Sequence, residues 1–354
     1  MSSDNVNDGN GPRHQRRIRY KGTHPKSFFE KYKELQPEQY AGDVAQIIQK
    51  GRTPAGMHRP ICVKEILEFL QIKPGQTGLD ATLGYGSHAV EMLQCLRSEG
   101  CLYAIDVDAL ELPRTVERLE RLGYGPEILK IRQMNYSQID QIVPESGPFH
   151  FVLADLGVSS MQIDNPERGF SFKYDGPLDL RLKPELGISA AERLKTISLD
   201  ELQGMLVVNA DEPYAAPIAR SIVSSIKKGT EISTTIQLRN NITDTLELIP
   251  HLSEEEIKKS CQRCFQALRI DVNHELEALE EFLEKLPVAL AAGGHAAILS
   301  FHSGEDRLVK KSFKRFFREG IYREVAPDPV RPSLDECHVN SRARSAKLRW
   351  AIKA

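Results

Sequence analysis

The chain is poor in the features that mark several whole classes of protein. Its six cysteines are scattered rather than regularly spaced, so they form no disulfide framework, and a reducing cytoplasm is the expected home. No run approaches the roughly 18 consecutive apolar residues of a membrane-spanning helix, so no membrane association is expected. The opening MSSDNVNDGNGPRHQ lacks both a basic start and an apolar h-region, which predicts no secretory signal. Internal repeats are not detectable. What remains is an ordinary globular composition, 40% hydrophobic and 27% charged over 354 residues. That is enough apolar material for a sizeable core, and enough length for two units or one domain with an insertion.

The net charge of -2 conceals two basic ends. Residues 13–26 (RHQRRIRYKGTHPK) carry six Lys/Arg and no acid, and residues 307–354 carry thirteen Lys/Arg against five Asp/Glu. Clustered positive charge beside Tyr20, Phe313, Phe316, Phe317 and Tyr322 suits a nucleic-acid backbone. A solvated helix face carries the same pattern, so charge alone does not decide.

Along the chain, residues 1–25 are Asn/Gly/Ser/Arg-rich without apolar periodicity, and a disordered basic tail is expected. CVKEILEFLQI (62–72) has helical spacing. TGLDA then leads as a strand into the Gly loop TLGYGSH, and CLYAID (101–106) reads as the next strand. A helix (ALELPRTVERLERL), a strand at 128–133 and a strand at 149–155 follow. This alternation predicts βαβ units on a parallel sheet. From about 163 to 262 only helical patterns appear. The α/β rhythm then returns with one long helix, FQALRIDVNHELEALEEFLEKL, a Gly293-Gly294 turn and a strand, HAAILSF. One α/β domain (26–162 and 263–354) interrupted by a helical domain (163–262) fits better than two tandem domains.

The Gly loop D80-A-T-L-G-Y-G-S-H88 would bring backbone close to a ligand at a helix N-terminus. Gly84-x-Gly86-x-x-Ala89 fits a permissive dinucleotide fingerprint, and Asp106 ends the second strand where a ribose is held. A dinucleotide and S-adenosylmethionine both carry that ribose, which leaves a dinucleotide-dependent oxidoreductase as an alternative. Asp155 separates the two. With Asp80 and Asp106 it should converge on the crevice at the strand ends. There a carboxylate can accept an N–H from a weakly nucleophilic exocyclic base amine as it is methylated. His302, in SFHSGED, is a second candidate to orient a base or take a proton. Cys261-x-x-Cys264 has no second ligand pair, so no metal is expected. No cysteine sits in a nucleophile-like strand-tip loop, which argues against methylation of a ring carbon.

The longer motifs DATLGYGSH, ADLGVSSMQID, RGFSFKYDGPLDLRL, FQALRIDVNHEL, SFHSGEDRLVK and NSRARSAKLR resemble those of the MraW family, the bacterial ribosomal RNA small-subunit methyltransferase H enzymes. The resemblance runs from about His58 to Arg349. It implies a class I (Rossmann-like) methyltransferase sheet with an inserted all-helical domain that helps hold RNA. The implied activity is transfer of a methyl group from S-adenosylmethionine to N4 of a cytidine in the decoding region of small-subunit (16S) rRNA. The implied cofactor contacts are Gly86, Ser87, His88, Asp106, Tyr136, Asp155 and Gln162, with Asp155 and His302 as catalytic candidates. Ser87, Met161 and Gly304 stand where the family usually has glycine, proline and leucine.

The expected partner is small-subunit rRNA or the 30S particle, with a homodimer left open. A non-catalytic RNA-binding ribosome-assembly factor is the second alternative. Arg168, Asp175, Asp179 and Arg181 in ERGFSFKYDGPLDLRL are expected either to shape the crevice and its RNA entrance or to form an internal salt-bridged hinge.

Overall fold

The computed structural model describes residues 60–354; the basic tail expected over residues 1–25 lies outside the described residues. Seven strands form one sheet: β1 (Thr77–Asp80), β2 (Cys101–Asp106), β3 (Leu129–Gln133), β4 (Phe149–Asp155), β5 (Leu290–Ser300), β6 (Tyr322–Val325) and β7 (Lys347–Lys353). Their order is β3-β2-β1-β4-β5-β7-β6. The first five pair in parallel and β7 runs antiparallel between β5 and β6. The chain winds outward in one direction from β1 to β3 and in the other from β4. A crevice must therefore open between the carboxyl ends of β1 and β4, the switch point where such sheets bind ligands.

Helices α1 (Val63–Leu70), α2 (Ser87–Leu96), α3 (Leu112–Arg121) and α4 (Val143–Ser146) belong to the sheet half, and α5 (Ser160–Asp164) follows β4. The central strands are apolar on both faces because helices cover both. One buried cluster joins Leu79, Val152, Ala154, Phe282 and Ile298; a second joins Leu83, Met92, Leu102, Leu153 and Leu299. Gly78 in β1 is required by contact: a Cβ there would lie 2.0 Å from the Phe151 ring.

Between β4 and β5 come α6 (Ala190–Thr196), α7 (Leu199–Ala210), α8 (Ala215–Lys227), α9 (Thr235–Glu247) and α10 (Glu254–Asn273). They enclose a third apolar cluster that runs from Phe170 to Leu268. Ser189, Ser198, Thr234 and Ser253 cap four of them through side-chain oxygens, each worth about 1 kcal/mol. Cys261 and Cys264 face this core, and burial raises both thiol pKa values. Helix α11 (Glu275–Ala289) leads to β5, α12 (Ser303–Arg318) to β6, and α13 (Leu334–Val339) precedes β7.

Two local expectations need correction. The long helix through FQALRIDVNHELEALEEFLEKL is two helices, because His274 adopts a left-handed conformation (φ 50°, ψ 43°) that ends α10 and starts α11. Gly293-Gly294 is not a turn before a strand. It lies inside β5, beside the register shift between Phe149 and Phe151 of β4. Glycine serves such a bulge because a Cβ at Gly294 would meet the Phe149 carbonyl at 2.9 Å.

Candidate active site

A cavity of about 500 Å³ opens at the carboxyl ends of β1, β2, β4 and β5. Its floor is the loop from Ala81 to His88. Gly84 and Gly86 take positive φ (50° and 75°), and Gly86 is the N-cap residue of α2. Only glycine adopts this backbone without strain, and it turns the helix N-terminus toward the cavity.

Asp106, the last residue of β2, is held by two backbone donors. The Gly84 N–H donates to Oδ2 at 2.7 Å and the Asp108 N–H to Oδ1 at 2.9 Å. Burial raises its pKa, against those two hydrogen bonds. Both oxygens keep lone pairs, so the carboxylate is pre-set to accept from a pair of hydroxyl groups. Val107, Met134, Leu156 and Leu279 also line the cavity and supply apolar walls for a flat heterocycle. Tyr136 lines it too; its hydroxyl donates to the Glu275 carbonyl at 3.4 Å and its ring meets Phe282 edge-on.

The three carboxylates expected in one crevice divide. Asp106 and Asp155 line the cavity, whereas Asp80, 1% exposed, lies outside its lining as the last residue of β1. Burial pushes the Asp80 carboxyl up to about 7, with His88 pulling the other way. Asp155 faces His88, whose Nδ1 is 3.4 Å from Asp155 Oδ2 and whose Nε2 is 3.0 Å from the Ile61 carbonyl. Both ring nitrogens therefore face acceptors. A neutral imidazole can donate to only one of them, and a protonated ring to both. Burial opposes charge on His88, but Asp155 and Asp80 outweigh it and raise its pKa. The other oxygen, Asp155 Oδ1, is buried and has no hydrogen-bond partner. The side chain as a whole is 20% exposed and lines the cavity, so the carboxylate can accept from a donor that arrives with a ligand.

His302 lies in the same wall, held as an N-cap. Its Nδ1 accepts from the Glu305 N–H (3.4 Å), and Nε2 is 3.2 Å from Glu305 Oε1, off the hydrogen-bond direction. Glu305 is 4% exposed. Burial would raise its pKa, but His302, the Phe301 N–H and Arg269 hold it below the ordinary range. His302 thus has Nδ1 engaged as the cap, while Nε2 has no hydrogen-bond partner.

Gln162 is at the cavity edge with both ends engaged. Its Oε1 accepts from the Ser159 N–H (2.7 Å), and its Nε2 donates to Asp108 Oδ2 (2.5 Å). Asp108 was missed from the sequence and organises this wall. It is 2% exposed and receives Arg168 through both guanidinium nitrogens at 3.2 and 3.0 Å. Arg168 follows the hinge alternative rather than the entrance one. Its neighbours form neither: Arg181 pairs with Asp179 within the same loop, and Asp175 accepts from the N–H of Ile236 and of Gly176. None of the four lines the cavity. The signal for Asp108 was its place two residues beyond Asp106, in the loop that a strand-tip acid must share.

The roof comes from the helical block. Gln262, Gln266 and Arg269, at helical spacing on α10, line the cavity, while Cys261, Cys264, Phe265 and Leu268 face the block's own core. Arg269 forms a bidentate pair with Glu275 at 2.8 Å. Arg342 closes the remaining side and donates to Ser160 Oγ at 2.6 Å.

Residues 55–354 match the model of the MraW methylase family. The chain belongs to the MraW methylase family. It is 73% identical over 348 residues to a ribosomal RNA small subunit methyltransferase H 2 from Alkaliphilus metalliredigens, covering 98% of this chain and 100% of that one. Identity to a ribosomal RNA small subunit methyltransferase H 1 from Lachnoclostridium phytofermentans is 67% over 344 residues, 97% of this chain and 94% of the relative. A ribosomal RNA small subunit methyltransferase H from a Cyanothece species is 38% identical over 300 residues, 84% of this chain and 95% of the relative.

Proposed function

We propose that this MraW-family chain transfers a methyl group from S-adenosylmethionine to N4 of a cytidine in the decoding region of small-subunit rRNA. The observation that carries the reading is Asp155: a carboxylate at the tip of β4, 20% exposed, that lines the cofactor-sized crevice and faces His88 Nδ1 at 3.4 Å. Family membership and the relatives' names support rRNA methylation.

The residues present suit the cofactor. Asp106 offers two fixed acceptors for ribose hydroxyls. The loop from Gly86 to His88 offers a helix N-terminus to the amino-acid end, and Val107, Met134 and Leu156 offer apolar contact to the adenine. Gln162 is a wall residue that fixes Asp108, and Tyr136 a wall residue fixed by Glu275. When bound, the cofactor supplies a methyl group already activated on a sulfonium.

The chain's own residues then position and polarise the acceptor. Asp155 accepts an N–H of the exocyclic amine, which raises electron density on the nitrogen and disperses its proton as the new bond forms. His88, donating to Asp155 Oδ2, keeps the carboxylate oriented. Gln262 lines the cavity from the inserted helical domain, which supports a role for that domain in holding the RNA. Methylation of a ring carbon would need a nucleophilic thiol, and among the described residues no cysteine lines the cavity. Labelled-methyl transfer from S-adenosylmethionine to undermethylated small-subunit rRNA tests the reading. Binding of S-adenosylhomocysteine and RNA without transfer would support an assembly factor instead. Stabilisation by NADH alone would support an oxidoreductase.

A further inference from the structure

We propose that the exposed face of α12 is a track for the phosphodiester backbone of a single-stranded RNA segment that leads into the crevice. This rests on the methyl-transfer reading above and adds where the strand lies. The helix starts at the cavity, because its N-cap His302 is a lining residue. From there Arg307, Lys310, Lys311, Lys314 and Arg318 recur at intervals of three and four and share one exposed stripe. The opposite face, Glu305, Val309, Phe313 and Phe316, is buried.

The stripe carries no acid. Glu305 is turned inward to the Phe301 N–H, and Asp306 is bound by Lys347 and Arg349. Arg307 is engaged by Asp211. Lys310, Lys311, Lys314 and Arg318 have no carboxylate partner among the described residues. From Arg307 to Arg318 the row extends roughly 16 Å at 1.5 Å per residue. Phe317, 48% exposed, flanks its far end and offers a ring on which an unpaired base can stack. Unpaired cations in a row with an aromatic beside them fit a single strand, and a base must leave any helix to enter a pocket of this kind.

The test measures how salt weakens binding of a single-stranded RNA oligonucleotide of decoding-region sequence, by fluorescence anisotropy between about 50 and about 200 mM salt. Three full-length proteins are compared: wild type, K310A/K311A/K314A/R318A, and a control, K227A/K228A, that removes two exposed lysines at the end of α8. Each single-strand phosphate contact contributes about 0.7 to the slope of log affinity against log salt. The quadruple variant should lose about 2.8 from that slope, so the fourfold salt rise should weaken it roughly 50-fold less than wild type. Its affinity for S-adenosylhomocysteine should be unchanged, and the control should keep the wild-type slope.

An unchanged slope in the quadruple variant, with methyl transfer intact in the wild type, would overturn the track and leave the methyltransferase reading standing. Loss of the same slope in the control would reduce the effect to net charge and overturn it too. Binding to phosphatidylserine vesicles that disappears in the quadruple variant, while RNA binding persists, would assign the face to a membrane instead. A wild type that neither binds S-adenosylhomocysteine nor transfers a methyl group would overturn the methyltransferase reading itself.

Discussion

Replacing Asp106 by asparagine should be almost as damaging as replacing it by alanine, and the reason lies in its two backbone donors. The carboxylate accepts from Gly84 at one oxygen and from Asp108 at the other, at 2.7 and 2.9 Å. An asparagine can satisfy only one. Whichever way the amide is turned, its NH2 group meets an N–H donor. The exchange removes one hydrogen bond to a charged group, worth about 1.5–3 kcal/mol, and leaves a buried donor unsatisfied, at a further cost of about 1–3 kcal/mol. It also disturbs Gly84, which shapes the floor of the crevice. In the bound state the two hydroxyl contacts of the ribose lose their charged acceptor, another 1.5–3 kcal/mol or so each. Together these predict S-adenosylhomocysteine binding about 10²–10⁴-fold weaker for Asp106→Asn, within roughly tenfold of Asp106→Ala. Isothermal titration calorimetry measures both. If Asp106→Asn binds within threefold of wild type, the ribose is held elsewhere and the assignment of the crevice is wrong.

Asp155→Asn should lower the methyl-transfer rate by about 10²–10³-fold while S-adenosylhomocysteine affinity stays within about threefold; single-turnover rates beside calorimetry check it, and equal losses in both would make Asp155 a binding residue only. Arg168→Met strands the buried Asp108 carboxylate, so unfolding free energy should fall by about 3–5 kcal/mol in a urea titration. Arg168→Lys should recover little of it, because one ammonium cannot replace two guanidinium contacts.

Stability should also depend on pH. Asp80 is raised to about 7 and His88 is raised above its ordinary value. Each therefore binds more protons when folded than when unfolded. Their contribution is fully present below the unfolded pKa of each and declines as pH rises through the folded ones, so stability should fall between about pH 4 and 7 on account of Asp80 and further above about 6.5 on account of His88. For Asp80 the shift corresponds to at most about 4 kcal/mol. Asp80→Asn should flatten the thermal-melting profile over the Asp80 window; a profile as steep as wild type would contradict the assignment.

The parallel sheet and its strand-tip acids were legible because local signals are strong there: apolar runs, a Gly loop and an acid at the ends of β1, β2 and β4. The break at His274 was not. Apolar periodicity continues on both sides of it, and nothing short of the tertiary structure forces a histidine into a left-handed conformation. The bulge of β5 was equally hidden, since Gly-Gly reads as a turn until a neighbouring strand demands close approach. At the site, Asp106 and Asp155 stood out as strand ends. The engagement of Gln162 by Asp108, and of His302 by Glu305, needed coordinates, because each joins residues by side-chain geometry rather than by spacing alone. Asp80 shows the limit from the other side: it shares the strand-tip pattern yet ends beneath the crevice.

The most direct test is mass spectrometry of undermethylated small-subunit rRNA after incubation with the purified protein and S-adenosylmethionine. The account predicts one methyl group on N4 of a single cytidine in the decoding region, absent over the same interval with Asp155→Asn. Unmodified rRNA from a protein that binds the cofactor, or a methyl group on a ring carbon or a ribose, would contradict it.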